Sequence, residues 1–473
     1  MPHDTAKEGR MSIINTIKSK FSGSRDRDMT QGNIFNHILA FAIPLLLGNL
    51  FQMLYNMVDT WVVGKFVSDE AFSAVGTLNS VTNLMISFFL GLAGGAGVVI
   101  SQYFGAGNKD RVRSAVHTSI AMTLILAVAF TVIGIVSVPL MLNILDMPQE
   151  VEREARTYLL IWFSGISGLM FYNIGSGIMR AVGDSTRPFI YLIISALTNT
   201  VLDLVFVLAL NMGTAGVAVA TIISQFLSAI LVMISLARTD SAVKLSVKEI
   251  KIDFPLLKKI VKIGIPTALQ MSITSFSNIF VQSYVNFFGK ESMGGWTAYI
   301  KIDQVVMLPM QSLGLASTTI VGQNLGKGYI ERAQKSANTA FFMCLASTAT
   351  LIIPVVIFAP YLVAFFNDNP EIIEYGAMYI RLLTPFYVLW TVNQIYSGAL
   401  RGAGRTTSTM IIMLSSFVAF RQIYLFVISR VINTPVAIAF GYPIGWLIAS
   451  AATFIYYKKV GLTPKAKKKI VLD

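Results

Sequence analysis

The sequence holds one cysteine, Cys344, and three scattered histidines, His3, His37 and His117. A single cysteine makes no intrachain disulfide, and no Cys/His cluster has the spacing of a metal site. Charge is scarce too. Asp, Glu, Lys and Arg form 13% of the 473 residues, against about 25% in soluble globular proteins. No H-E-x-x-H pair, no serine–histidine pairing and no Walker motif occurs. Those absences argue against a membrane enzyme and exclude a pump driven by its own nucleotide hydrolysis. Strict apolar–polar alternation is also missing. Stretches such as "TLILAVAFTVIGIV" are apolar all round, which excludes a transmembrane β-barrel.

What the chain has in abundance is hydrophobic side chains, 54% of the total, with a mean hydropathy of +0.66. They come in runs of about 20 or more, enough to cross a bilayer core. The composition therefore predicts an all-α polytopic membrane protein. Twelve spans are expected near 36–63, 73–101, 115–142, 155–181, 188–211, 214–237, 259–288, 295–323, 336–362, 374–400, 407–430 and 436–457. The net charge of +13 is read as the positive-inside bias of such proteins rather than as a nucleic-acid footprint. With the N-terminus inside, the inner segments hold Arg111, Arg113, Arg180, Arg187, Lys327, Arg332, Lys335, Arg401 and Arg405, and the outer loops hold acids such as Asp146, Glu150, Asp368 and Glu371. Both termini are then cytoplasmic. Residues 1–34 read as a basic cytosolic tail and not a signal peptide, and residues 458–473 as a second basic tail.

The chain repeats itself. "GSGIMRAVGDST" at 175–186 reads against "YSGALRGAGRTT" at 396–407, and "SQYFGAGNKDRVRSA" against "GQNLGKGYIERAQKSA", pairing Gln102 with Gln323. Pro44 pairs with Pro266. An offset of about 221 residues carries six spans, an even number, so the halves are parallel repeats about an axis along the membrane normal. The expected plan is an N-lobe at 35–237, a cytoplasmic linker at 238–258 and a C-lobe at 259–457. Two such bundles enclose a cavity and favour alternating access.

Acids inside the spans are few: Asp59 in span one, Asp203 in span five and Asp303 in span eight. A carboxylate at that depth is costly and usually faces a cavity and a partner. Asp59 and Asp203 both lie roughly 10 Å below the outer interface by helix rise. Asn199 shares the face of Asp203, one turn away, and Thr221 of span six reaches the same depth. These four oxygen-bearing side chains suit a hard cation such as Na⁺ or a proton-sharing carboxyl pair. Gln52 and Tyr55 lie on the stripe leading to Asp59, with Asn56 beside it; Asn173 and Ser176 come from span four. Together they are expected to wall a polar cavity. In the second half Asp59 falls on Val281 and Asp203 on Tyr424, so the ionisable pair is unique to the first lobe. Lys301, Asp303 and Arg421 are expected to form a buried ion-pair network in the second lobe, or else a second substrate or proton site. Pro44 removes a backbone hydrogen bond from span one and is expected to bend it.

"FAIPLLLGNLFQMLYNMVDTWVVGKF", "SQYFGAGN", "IMRAVGDSTRP", "TNTVLDL" and "VGQNLGKG" resemble the multidrug and toxic compound extrusion (MATE) transporters over about residues 30–460. The resemblance implies two six-helix bundles, and a cation site at Asp59, Asn199, Asp203 and Thr221. It also implies a bend-forming Pro44 and an N-lobe cavity with Gln52, Tyr55 and Asn173. The span-seven glutamate and span-ten aspartate of some members are missing, with Thr274 near the place of the first, so the sequence looks closer to the bacterial DinF-like branch. The implied activity is efflux of cationic or amphipathic drug-like compounds across the bacterial inner membrane, in exchange for H⁺ or Na⁺. The resemblance implies no cofactor, no nucleic-acid partner and a monomeric transporter. A lipid or lipid-linked oligosaccharide flippase of the same superfamily is the alternative.

Overall fold

The computed structural model describes residues 26–145 and 147–462. The first 25 residues and the last 11, which contain most of both expected tails, and Asp146 lie outside it. The described chain is helical throughout. In the first half come α1 (Ile34–Phe66), α2 (Asp69–Gly105), α3 (Lys109–Ile144), α4 (Gln149–Ser164), α5 (Ile166–Ala181), α6 (Thr186–Leu204, continued by a π turn Val205–Ala209) and α7 (Gly213–Arg238). In the second come α8 (Phe254–Asn286), α9 (Lys290–Gly326), α10 (Ile330–Ile357), α11 (Ala359–Ala364), α12 (Pro370–Leu383), α13 (Tyr387–Gly402), α14 (Thr406–Leu414, continued by a π turn Ser415–Phe420), α15 (Arg421–Val431), α16 (Pro435–Ala439) and α17 (Gly441–Val460). Taken end to end these make twelve transmembrane crossings in two parallel-repeat six-helix bundles.

Nine described helices, counting α6 and α14–α15 with their π turns and α16–α17 together, are long and apolar enough to cross a membrane. The pair α4–α5, bent by 47°, makes a tenth. The other two crossings are α8, diluted by Gln270, Ser272, Thr274, Ser275, Ser277 and Asn278, and α12–α13. The latter is interrupted by a 3₁₀ turn at Thr384–Phe386, where Pro385 cannot donate to the helix ladder.

The bundles meet along α1, α2, α8 and α9. Each first helix inserts its leading stripe into the other bundle. Ile34, Ile38 and Phe41 of α1 pack in the core around Met310, Ile320 and Tyr387. Leu256, Ile260 and Ile263 of α8 pack in the core around Ile100, Val116 and Ile178. Both stripes have the i, i+4, i+7 spacing of one helix face, and each residue of the first precedes its counterpart by the Pro44–Pro266 offset.

At glycine, close approach across the seam falls in the half nearest residues 26–33. A Cβ at Gly91 would overlap Ala268, one at Gly95 would overlap Gly264, one at Gly105 the carbonyl of Gln323, and one at Gly326 the carbonyl of Gln102. Two glutamines latch the same end reciprocally: Gln102 Nε2 donates to the Gly402 carbonyl at 2.8 Å, and Gln323 Nε2 to the Ala181 carbonyl at 2.9 Å. Residues 26–33 lie across this end. Arg27 donates to the Val182 carbonyl in the first bundle, and Met29 N–H to Gln323 Oε1 in the second (2.9 Å). Partial burial raises the Asp28 carboxyl, but hydrogen bonds from Thr30 and the charge of Lys327 more than offset that and hold it below the usual carboxylate value. On the far half, α1 exposes Phe51, Gln52, Leu54, Asn56, Met57 and Trp61, and α8 exposes Ser275, Asn278 and Phe280.

The linker is strapped to α3. Ser246 N–H donates to His117 Nε2 at 3.0 Å, while His117 Nδ1 faces the Arg113 carbonyl at 2.7 Å. His117 is thus a buried structural residue, and Cys344 is a free, buried thiol.

Candidate functional site: a carboxyl pair in the first bundle

Three helices bring the expected cation residues into contact. α1 supplies Asp59, α6 supplies Asn199 and Asp203, and α7 supplies Thr221. Asp203 is fully buried, Asn199 1% and Thr221 6% exposed, and Asp59 half-buried. Both carboxyls lie within hydrogen-bond reach of one amide. Asn199 lies between them. In the amide orientation that satisfies its neighbours, Nδ2 donates to Asp59 Oδ1 (2.8 Å) and Asp203 Oδ2 (3.3 Å), and Oδ1 accepts from the Thr221 backbone N–H (3.2 Å). The Thr221 hydroxyl donates to the Val217 carbonyl at 2.9 Å, leaving its lone pairs free to accept.

Two more groups complete the layer. Tyr55 lies one turn before Asp59 on α1, and Tyr158 of α4 is buried near both acids. Sequence reasoning missed Tyr158; the only signal was a lone phenol in "TYLLIWF", which buried phenols normally spend on an acceptor. Asp203 Oδ1 has no hydrogen-bond donor although it is buried, so one carboxylate oxygen is left for a proton or a cation. The π turn Val205–Ala209 begins two residues after Asp203; such turns widen a helix and recur at functional sites.

The other candidates are distributed differently. Gln52 and Asn56 are exposed on the far half of α1. Asn173 and Ser176 are buried in α5, which packs on α2, α3 and α7, and Asn173 Nδ2 donates to the Leu169 carbonyl one turn back (2.9 Å). Pro44 lies inside the unbroken helix α1.

The expected ion-pair network of Lys301, Asp303 and Arg421 is not formed. Asp303 of α9 accepts from Tyr387 of α13 and is hydrogen-bonded to Tyr299. Arg421 of α15 turns instead to α8, donating to Ser277 Oγ and Asn278 Oδ1, both at 2.8 Å, with its guanidinium 4.9 Å above the Tyr442 ring. Lys301 is exposed. Phenols took the place of the cation because α13 supplies Tyr387 at the height of Asp303, a juxtaposition set by tertiary packing. Among the described residues no group of three His, Cys, Asp or Glu could hold a metal.

A MatE family profile matches the chain twice, over residues 44–205 and 266–427. The chain is 28% identical over 437 residues to the probable multidrug resistance protein YpnP of Bacillus subtilis, covering 91% of this chain and 96% of that protein. It is 28% identical over 389 residues to the probable multidrug resistance protein NorM of Thermotoga maritima, covering 81% and 83%. Among solved structures it superposes with a TM-score of 0.86 on an outward-facing multidrug resistance MATE family transporter, at 22% identity, covering 92% of this chain and 98% of that one.

Proposed function

Because the chain belongs to the MatE family, a membrane transporter and not an enzyme, we propose that it exports cationic or amphipathic organic compounds in exchange for an inward-moving cation. The cation is H⁺ or Na⁺, taken at Asp59, Asn199, Asp203 and Thr221. The observation that carries this reading is the contact of two carboxyls through Asn199 in one buried layer. Two carboxylates in contact repel unless a proton or metal ion lies between them. Asn199 lies within hydrogen-bond reach of both acids; its nitrogen serves a pair of carboxylates, and its oxygen serves a protonated carboxyl or Na⁺.

In the proposed cycle the latched side, with both termini, is cytoplasmic, and the exposed far halves of α1 and α8 line a cleft open to the outside of the bacterial inner membrane. The N-lobe is 35–237, the linker 238–258 and the C-lobe 259–457, and one chain forms the working unit. Cargo lies along Gln52, Tyr55 and Asn56 of α1, and Asn173 and Ser176 of α5 belong to the same cavity wall in the state that exposes them. Cation uptake at Asp59 and Asp203 removes negative charge from that wall and weakens its hold on cationic cargo. Pro44 supplies the bend through which α1 answers the change. A ligand shifts the equilibrium between the two facing states only by its differential affinity for them.

Reconstituted vesicles test the reading. Efflux of a cationic dye should follow an imposed Na⁺ or pH gradient, and the gradient that drives it names the ion. Asp59→Asn should abolish gradient-driven efflux, and efflux at the wild-type rate in that variant would refute the coupling site.

A further inference from the structure

The duplication gives the carboxyl pair a counterpart of opposite charge. The two matched stretches begin at Pro44 and Pro266. At the 222-residue offset of those two prolines Arg421 stands where Asn199 stands in the first half and Leu425 where Asp203 stands, each one residue beyond the Phe420 and Tyr424 set there by the 221-residue offset of the glycine motifs; Ser277 stands where Tyr55 stands, and Asn278 where Asn56 stands. The corresponding pair of helices is joined at both places, one turn apart, since the Asp59 that Asn199 meets has Val281 as its counterpart. Asn199 of α6 reaches α1, and Arg421 of α15 reaches α8 at Ser277 and Asn278. The first bundle carries two acids at this place; the second carries a guanidinium.

That guanidinium is incompletely matched. Arg421 is 3% exposed. Among the described residues no carboxylate lies within 4.0 Å of it, and its Nε has no acceptor. Its direct hydrogen bonds go to a hydroxyl and an amide, and its face to an aromatic ring. A buried charge inside a membrane is costly and ordinarily paired. Asp303, the acid inside the spans of the second bundle, accepts from Tyr387 instead. On the proposed cycle the site also adjoins the outer cleft. Asn278 is exposed and lies two heptads beyond Gly264, which touches Leu92 of α2, so it continues the seam-facing stripe of α8 into the open half.

We propose that Arg421, with Ser277, Asn278 and Tyr442, is a binding site for the anionic group of the transported amphiphile, a carboxylate or phosphate. The planar fork of an arginine suits either group. This deepens the transport reading and rests on it. The preferred cargo bears an acid group as well as its apolar body, and zwitterions are held at both bundles.

Two dyes with one xanthene body test this with the full chain in neutral detergent: rhodamine 110, which carries a free carboxylate, and its methyl ester, rhodamine 123. Fluorescence anisotropy should show wild type binding the carboxylate form about tenfold more tightly, the scale of one charge-assisted hydrogen bond. Arg421→Gln should reduce the ratio to about one, and Arg421→Lys should keep part of it. Should Arg421→Gln fail to fold, Asn278→Asp supplies an internal carboxylate to the same guanidinium and should also erase the preference. Asp59→Asn should leave the ratio intact while losing coupled efflux, which separates this proposal from the coupling site. Equal affinities in wild type, or a ratio unchanged by Arg421→Gln or Asn278→Asp, would overturn it. So would loss of the preference on adding phosphatidylglycerol but not phosphatidylcholine, which would assign the site to a lipid head group.

Discussion

At Asn199 a neutral side chain holds two acids together. In the orientation that satisfies its neighbours its nitrogen faces both carboxyls and its oxygen meets the backbone of α7, so one amide links helices α1, α6 and α7 at this layer. Replacing it with leucine keeps the volume and removes both donors. Asn199→Leu should leave the protein folded but raise the dye-efflux KM or abolish efflux, and a vesicle assay with an imposed gradient measures which. An isosteric acid, Asn199→Asp, would place a third carboxyl there. Asp59 and Asp203 themselves were legible in the sequence, because an acid inside an apolar run stands out. Tyr158 was not: a phenol in a membrane helix is commonplace, and only packing put this one near two acids.

The elements at the seam owe their approach to missing side chains. α2 and α9 come together at Gly105 and Gly326, where any Cβ would run into the other helix's backbone. A backbone obstacle cannot rotate away as a side chain could, so the helices themselves must move. Gly105→Val should therefore part α2 from α9 at the latched end. Overpacking of this kind costs about 1–3 kcal/mol, to be read as a lower Tm in a thermal-shift measurement of the purified protein. The glycines were visible in the repeat, as were the prolines. What the repeat did not reveal is that α1 and α8 each lodge their leading stripe in the opposite bundle's core. An apolar stripe at i, i+4, i+7 asks for burial without saying against which partner.

Across the whole molecule, Gln323 joins three parts: it accepts from Met29 of the N-terminal segment and donates to Ala181 of the first bundle, from its own place in the second. It is fully buried. Gln323→Leu would strand an N–H and a carbonyl, at about 1–3 kcal/mol each, and would weaken the closed end relative to the open one. The expected outcome is faster maleimide labelling of a cysteine introduced at Met29, itself 1% exposed. The native Cys344 is buried and gives little background. Unchanged labelling would show that the latch does not hold this end shut.

By itself the sequence determined the class of protein, the crossings, the parallel duplication and the rarity of acids in the spans. Each follows from a local or periodic cost: burying backbone and charge in a medium without water. Tertiary structure decided which of the rare polar groups meet. It paired Asp59 with Asp203 through Asn199, and it separated Asp303 from Arg421 by giving one to the phenols of α9 and α13 and the other to α8. Those choices depend on how helices far apart in sequence are rotated and how deeply they are set. Hydrophobic periodicity fixes which face of a helix is buried, but leaves open which neighbour's side chain stands at the same height.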